Sequence, residues 1–369
     1  MSSPLLALAK REVAEVLNKY AVPRYRVDQV FKSLYDAKTR VRAIDEMTLI
    51  PLALREALMK DGYVTGRVEA KETAKTLSRD GTGKLAFARG TTGHVYECVG
   101  IPDATCYVDD GDQFEGDFSR VKGWDRYRLT ACVSSQSGCG MKCSFCATGK
   151  LGFKSNLTAA EIVNQVLVLE DAYKQRVSNV VFMGMGEPML NMKEVARAIR
   201  TLNEDVGISA RSITVSTVGI PNAIMKFAKY KLQCTLAVSL HAPDQETREK
   251  IVPSAKYYSI EHLLEDSKSY FKETGRRVTF EYTLLAGVND SAHQARMLGR
   301  MLKRAFRNGV HVNVIPWNNV DGINHSRPSG NAIHRFCSAL AEEGVNQSIR
   351  KTRGLESNAA CGQLAAKHA

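Results

Sequence analysis

The apolar positions of this chain change their period along its length, and each change predicts a different kind of structure. Up to about Gly62 they recur at helical spacing, as in Leu5, Leu6, Leu8, Val13, Val16 and Leu17, and again in Val27, Val30, Phe31 and Leu34. Arg24, Arg26, Lys32, Lys38 and Arg40 accompany the second helix, which fits either a small nucleic-acid module or a helical lid with a solvated basic face. From Tyr63 to about Pro102 short alternating runs take over, such as Thr76-Leu-Ser-Arg79 and Lys84-Leu-Ala-Phe-Ala-Arg89, with Gly81 and Gly83 between them. That pattern predicts a hairpin-based β unit. Residues 103–128 break it with the acidic, glycine-rich run from Asp109 to Asp117, which reads as a surface loop or insertion.

From Leu129 onward β-rich runs alternate with longer helical ones. Strands are predicted at Leu129–Val133, Asn179–Met183, Ile213–Ser216, Thr235–Ser239, Val278–Leu284 and Val310–Ile315. Helices are predicted at Ala159–Tyr173, Met192–Asn203, Ile260–Thr274 and Ala292–Phe306, the first opened by the capping box Thr158-Ala-Ala-Glu161. Such strand–helix repeats predict an α/β fold whose parallel sheet is closed or partly closed into a barrel. Ligands of such folds gather at the carboxyl ends of the strands. The organisation expected is a helical accessory unit at 1–62, a small β unit at 63–102, the acidic insertion at 103–128, the barrel at 129–348 and a tail at 349–369.

With 44% hydrophobic and 24% charged residues, the 369-residue chain has the composition of a soluble enzyme. It has no apolar run of about 18 residues, so no transmembrane helix is expected. Its start, Met1-Ser-Ser-Pro-Leu, lacks the build of a secretory signal and reads as that of an intracellular chain. Nine cysteines at unequal spacings point to a reducing compartment with metal-bound or catalytic thiols. A formal charge of +12 serves solubility or a polyanionic partner, and nucleic acid is the partner it favours. Arg276-Arg277, Lys303-Arg304 with Arg307, and Arg350-Lys351 with Arg353 could form a track for RNA phosphates, or be solvated helix faces.

The candidate chemistry begins at Cys139, Cys143 and Cys146, a CxxxCxxC run between the first barrel strand and its helix. Cubane iron–sulfur clusters take one cysteine per iron, so three thiolates leave one iron open; a zinc site would need a fourth ligand, which His241 or Cys132 could supply. Further groups fall at strand ends. Gly184-Met-Gly186-Glu187-Pro188 follows the second strand, where the glycines permit close backbone approach and Glu187 can accept an ammonium. Ser216 ends the third strand, Ser239 and His241 the fourth, and Asn318 follows the sixth. A pocket explains them together better than separate structural roles do.

The cysteine run, with aromatic Phe145 before its last member, resembles the signature of the radical S-adenosylmethionine (SAM) superfamily. That resemblance implies a partial (β/α)6 barrel, a [4Fe–4S] cluster on Cys139, Cys143 and Cys146, and SAM held by Gly186, Glu187, Ser216, Ser239, His241 and Asn318. Cys132, seven residues before the cluster run, and Cys361, in the tail word Asn358-Ala-Ala-Cys-Gly-Gln-Leu364, narrow the likeness. The chain resembles the RlmN/Cfr family of radical-SAM methyltransferases that act on adenine in ribosomal RNA.

The family scheme implies that Cys361 carries the methyl group as S-methylcysteine, with two SAM used per turnover. Cys132 would remove the ring proton and resolve the product through a disulfide, and Glu97 would be a proton acceptor or substrate contact. The target implied is C2 of an adenine in 23S-type rRNA, with a tRNA adenine beside the anticodon as a second candidate. An electron donor such as flavodoxin or ferredoxin, a monomeric state and a cytoplasmic location follow from the same likeness. The competing readings are Cfr-type C8 methylation, a non-catalytic metal-cluster RNA-binding protein, and a radical-SAM enzyme for a peptide or small molecule. The link between Pro102 and Leu129 is longer than the family's usual one, and its acidity suits a face turned away from RNA. Cys98, Cys106, Cys234 and Cys337 are expected to be buried or incidental thiols.

Overall fold

Alternation along the strands dictates the architecture. The structure is a computed structural model describing residues 3–68, 75–89, 92–103, 118, 128–306 and 310–365, with the backbone alone at 107–108 and 121–122. The chain opens with β1 (Ser3–Pro4), the helices α1 (Lys10–Asn18), α2 (Arg26–Tyr35) and α3 (Leu52–Lys60), and β2 (Tyr63–Val64), which pairs parallel with β1. Next come β3 (Lys75–Leu77), β4 (Gly83–Ala88), β5 (Val95–Pro102) and the small antiparallel pair β6 (Tyr107–Val108) and β7 (Val121–Lys122). The acidic run, 109–117, lies outside the described residues, as does Cys106.

The barrel strands are β8 (Leu129–Cys132), β11 (Val177–Phe182), β12 (Ile213–Thr217), β13 (Thr235–Ser239), β14 (Val278–Leu284), β15 (His311–Pro316) and β16 (Asn346–Ile349). Between β8 and β11 come the hairpin of β9 (Gln136–Gly138) and β10 (Phe153–Asn156), with α4 (Ala147–Leu151) inside it, and then α5 (Ala159–Tyr173). The later connections carry α6 (Met192–Glu204), α7 (Ala223–Ala228), α8 (Gln245–Ile251), α9 (Ile260–Thr274), α10 (Ala292–Ala305) and α11 (Gly330–Glu342). Their starts are chemically marked: Thr158 and Ser291 form capping boxes, and Ser259 and Ser329 each accept the N3 amide.

On β14, Phe280 and Tyr282 point outward onto Phe306 and Phe336, while Glu281 and Thr283 point into a cavity. The other strands follow suit: Leu129, Ala131, Val180, Val215, Val312 and Val314 join the helix-facing core, and Thr130, Cys132, Val181, Ser216, Ser239 and Ile315 line interior cavities. Each outward Val, Ile or Phe contributes about 1.5–3 kcal/mol by leaving water. Because Thr130 and Ile315 line one cavity from strands five places apart in the sheet order, the sheet curls around its polar face. This is the partial barrel.

Two features exceed the six strands expected. The structure adds β16, a seventh parallel strand paired with β15. Its run Asn-Gln-Ser-Ile is mostly exposed, and an edge strand need not carry the apolar alternation that betrays an inner one. The β unit, expected as a separate small unit, instead continues the barrel sheet: β5 lies antiparallel along β8, then β4 and β3 follow, giving ten strands in one sheet. The N-terminal helices share a single apolar cluster with the barrel, from Leu5 and Val13 through Val30 and Leu34 to Val166 and Ile199. Arg40, expected near a solvated basic face, is buried against Glu170 (2.5 Å) and Asp171 of α5.

Candidate active site

Three loops at the carboxyl ends of the strands build the site. The segment after β8 is fastened to the glycine loop after β11: the amides of Ser135 and Gln136 donate to the Met185 carbonyl (2.9 and 3.1 Å), and Met185 N–H donates to Ser134 Oγ (2.8 Å). Gln136 Oε1 accepts the Glu187 amide at 2.8 Å. A side chain at Gly184 would meet Ser134 Oγ at 2.7 Å, and one at Gly186 would meet Gln136 Cβ at 2.5 Å. The glycines are therefore required by packing. Glu187, 2% exposed, accepts amides from Met189 and Val218 on separate oxygens, both at 2.9 Å. Burial pushes its carboxyl up while those amides pull it down, so an ammonium brought beside it would offset the burial.

The cysteine loop closes the same space. Cys139, Cys143, Cys146, Gly186, Glu187, Ser216, Ser239 and His241 all line one cavity of about 130 Å³, with Ser216 and Ser239 hydroxyls 3.3 Å apart. His241 has a left-handed backbone (φ +61°), and Asn289 Nδ2 donates to its carbonyl at 2.7 Å. Its Nδ1 accepts the Thr283 amide at 3.0 Å, and burial lowers its pKa to about 3. An acceptor Nδ1 leaves the proton on Nε2, so the ring is a neutral donor toward the cavity.

A second cavity, of about 370 Å³, lies across a shared wall. Cys132 and Thr130 line it with Asp103, Val181, Lys351, Thr352 and Arg353. Met183, Ile315, Arg350, Cys361, Gly362 and Leu364 border both cavities. The two isolated cysteines of the sequence are thus brought together across the second space, and Cys361 alone of them also faces the first. Burial raises Cys132 to about 12, and the nearby Cys361 adds to it. Cys361 is an exposed residue, yet the walls crowding its thiol desolvate and raise it, against which the hydrogen-bonded Arg350 guanidinium pulls down. Arg350 is oriented by Glu281, 3.2 Å away, whose other oxygen accepts from Asn313 at 2.6 Å.

The tail reaches this wall through contacts with distant parts of the chain. Ala147 N–H donates to the Gly362 carbonyl (2.8 Å), Thr148 Oγ1 to that of Leu364 (2.7 Å), and Gln363 Nε2 to that of Asn319 (2.7 Å). Asn318, expected at the SAM site, borders the second cavity instead, where its amide donates to the Cys361 carbonyl at 3.2 Å. Glu97 borders neither cavity; it is fully buried beside Lys84 under the tail. Cys98, Cys234 and Cys337 are buried, as expected of incidental thiols.

Sequence reasoning missed Glu281 and Thr283, hidden inside an apolar strand, and placed Arg350 on a phosphate track. The topology takes two of the three basic groups off that track and leaves Lys351 and Arg353 on the second cavity. Arg276-Arg277 precede β14 and Lys303-Arg304 end α10 before β15, so both lie at the amino ends of strands, opposite the cavities. Arg307 lies outside the described residues.

The donor set fits a [4Fe–4S] cluster better than zinc. Neither candidate fourth zinc ligand is available: His241 Nδ1 is engaged, and Cys132 opens on the other cavity. Among the described residues no three His, Cys, Asp or Glu groups converge as a single ion requires, whereas a cubane takes each thiolate on its own iron.

Comparison with known proteins agrees. Residues 133–297 match the model of the radical SAM superfamily. A protein of Gloeobacter violaceus described as a probable dual-specificity RNA methyltransferase RlmN is 45% identical, over 99% of this chain and 95% of its own length. One from Synechococcus sp. with the same description is 43% identical, over 98% and 95%. The crystal structure of a radical SAM methyltransferase from Sphaerobacter thermophilus superposes with a TM-score of 0.85 at 37% identity, covering 99% of both chains.

Proposed function

The chain belongs to the RlmN family of radical SAM methyltransferases, and on that premise we propose that it methylates C2 of an adenine in large-subunit ribosomal RNA through S-methyl-Cys361. One observation carries the reading: Cys361 stands in the wall between the cavity of the three-cysteine motif and the cavity of Cys132. A carrier thiol must meet the methyl donor on one side and the base on the other.

The enzyme uses a [4Fe–4S] cluster and SAM. Cys139, Cys143 and Cys146 would hold the cluster, with Glu187, Ser216, Ser239 and His241 around SAM. When bound, the pair supplies a methyl group from one SAM and a hydrogen-abstracting adenosyl radical from another. The chain does the rest. Arg350 offsets part of the desolvation that raises the Cys361 thiol, and so favours the nucleophilic thiolate that accepts the methyl. The S-methyl, once activated, bonds to the electron-poor ring carbon. Cys132, as its thiolate, takes the ring proton; after losing that proton its sulfur bonds to that of Cys361 as the bond from Cys361 to the transferred carbon breaks, that carbon takes up a proton to become the methyl group, and the one surplus electron would pass to the cluster.

The second cavity, at about 370 Å³, falls in the size range of ligand pockets and suits an extruded base. Lys351 and Arg353 on its lining suit the flanking phosphates. A tRNA adenine can enter by the same route. Every residue that the scheme uses lies on one chain, and the reading is of an enzyme that acts as a monomer. No helix among the described residues is long and apolar enough to cross a membrane. The reading includes a cytoplasmic enzyme fed by a flavodoxin- or ferredoxin-type donor.

The test is Cys132→Ala purified from cells. Release is then blocked, and the protein should accumulate joined to RNA through Cys361. Retained activity with no such adduct would sink the two-cysteine scheme, and 8-methyladenosine as the only product would sink the C2 assignment.

A further inference from the structure

The loop that carries Cys361 stands with both feet on a single buried ion pair. Lys84 on β4 and Glu97 on β5 are diagonal neighbours on one face of an antiparallel pair, in the register Lys84↔Val99 and Ala86↔Glu97. Their side chains are 4% and 0% exposed, with Nζ 3.3 Å from Oε1. Lys84 Nζ also reaches the carbonyl of Asn358 at 3.5 Å, and Glu97 Oε2 accepts the amide of Ala365 at 3.0 Å. Cys361 lies between those two attachment points. A second row of contacts from the β3–β4 turn holds the approach to the loop: Ser78 and Ser357 hydroxyls are 2.6 Å apart, and Gly354 N–H donates to Asp80 Oδ2 at 3.0 Å.

A well-packed apolar pair could stabilise this position as well as an ion pair does, because burying two charges costs desolvation. It could not hold a backbone carbonyl and a backbone amide at the same time. We infer that Lys84 and Glu97 are positioning residues that clamp the Cys361 loop at the wall between the two cavities, and that the β unit exists in this fold as that clamp. The assignment rests on the reading of Cys361 as the methyl carrier. It gives Glu97 a different task from the proton acceptor that family likeness implies, since its carboxylate borders neither cavity and is engaged by Lys84 and the tail.

Lys84→Met and Glu97→Gln, each as the anaerobically reconstituted holoenzyme, separate the two roles. The readouts are S-methylation of Cys361 by peptide mass spectrometry, 5′-deoxyadenosine formed per methyladenosine, hydrogen exchange across 354–365, and kcat and KM with the RNA. Both variants should lose kcat in parallel, on the order of 100-fold, the scale of a reacting group misplaced by about 1 Å. The deoxyadenosine ratio should rise, exchange should quicken at 358–365, KM should hold, and Lys84→Arg should restore most of the rate. Wild-type kcat and exchange in Lys84→Met, with Glu97→Gln alone inactive, would make Glu97 a proton acceptor and overturn the clamp. Should both variants misfold, Ser357→Ala decides: slower turnover with faster exchange supports the clamp, and no change in either overturns it. Failure of the carrier reading would show separately, as a wild-type enzyme whose Cys361 is never methylated.

Discussion

Replacing Gly186 by alanine should cost the enzyme its SAM affinity while leaving its cluster in place. Gly186 sits at φ +103°, where a side chain meets its own backbone at about 1–3 kcal/mol. The new methyl would also stand 2.5 Å from Gln136 Cβ, 2.7 Å from its Cγ and 2.8 Å from its backbone nitrogen. Gln136 has little freedom to retreat, since its amide donates to Met185 and its side chain holds both the Glu187 amide and Asn156. Overpacking of this kind adds about 1–3 kcal/mol. The loop carrying Glu187 should yield before the sheet does. A total of about 2–6 kcal/mol corresponds to a loss of roughly 30- to 20,000-fold in affinity. Equilibrium dialysis of labelled SAM against reconstituted protein measures it, with iron and sulfide content as the control on the cysteine loop. Gly287→Ala is the matched comparison: its φ is +70°, but nothing lies within 4 Å of the added methyl, so it should bear the backbone cost alone and bind SAM normally. A Gly186→Ala enzyme with unchanged SAM affinity would refute the packing argument.

Other consequences follow from the charges. Removing the guanidinium in Arg350→Met takes away the cation that pulls the Cys361 thiol down against desolvation. Methylation of Cys361 should slow at neutral pH and its pH profile should move upward, while Arg350→Lys keeps most of the neutral-pH rate. Arg40→Met should lower the denaturant midpoint by an amount equivalent to about 1–3 kcal/mol, less than the about 3–5 kcal/mol of a buried charge left unpaired, because Glu170 keeps Arg176 and Asp171 keeps Arg67. Asp205 is pushed up to about 6, chiefly by burial and then by Glu204. A raised carboxyl binds a proton in the folded state first, so its stabilising effect is present below about pH 4 and is lost as pH rises through about 6. Asp205→Asn should therefore stabilise the protein above pH 6, by about 1 kcal/mol after allowance for its partial exposure, and not at pH 4. Urea titrations at the two pH values compare them.

The elements with strong periodicity were legible to the residue. Ala159–Tyr173 and Ile260–Thr274 run as helices between the bounds their patterns predict, because caps at Thr158, Ser259 and Gly275 mark the ends chemically. The strand at Val278–Leu284 was equally plain, yet Glu281 within it was not legible as a cavity group: a single acid in a buried run carries no sign of which face it takes. β16 escaped for the opposite reason, its exposed edge position leaving no apolar pattern to read. Of the groups expected around SAM, Gly186, Glu187, Ser216, Ser239 and His241 came together, while Asn318, two residues past the end of β15, met the tail, a contact that no spacing along the chain announces.

The sequence by itself determined the local chemistry: three thiols in one short loop, glycines where two loops must touch, and an alternation that sends polar side chains into a barrel. Those features rest on neighbours a few residues apart, whose geometry the backbone restricts. What only the tertiary structure decided is where Cys361 stands. Its place depends on Gly362 meeting Ala147, on Arg350 meeting Glu281, and on Lys84 and Glu97 gripping Asn358 and Ala365. Those partners lie up to 274 positions away, and no local preference encodes a contact at that separation. Only closing the whole sheet, with the β unit along its edge, brings the tail to the wall where two cavities meet.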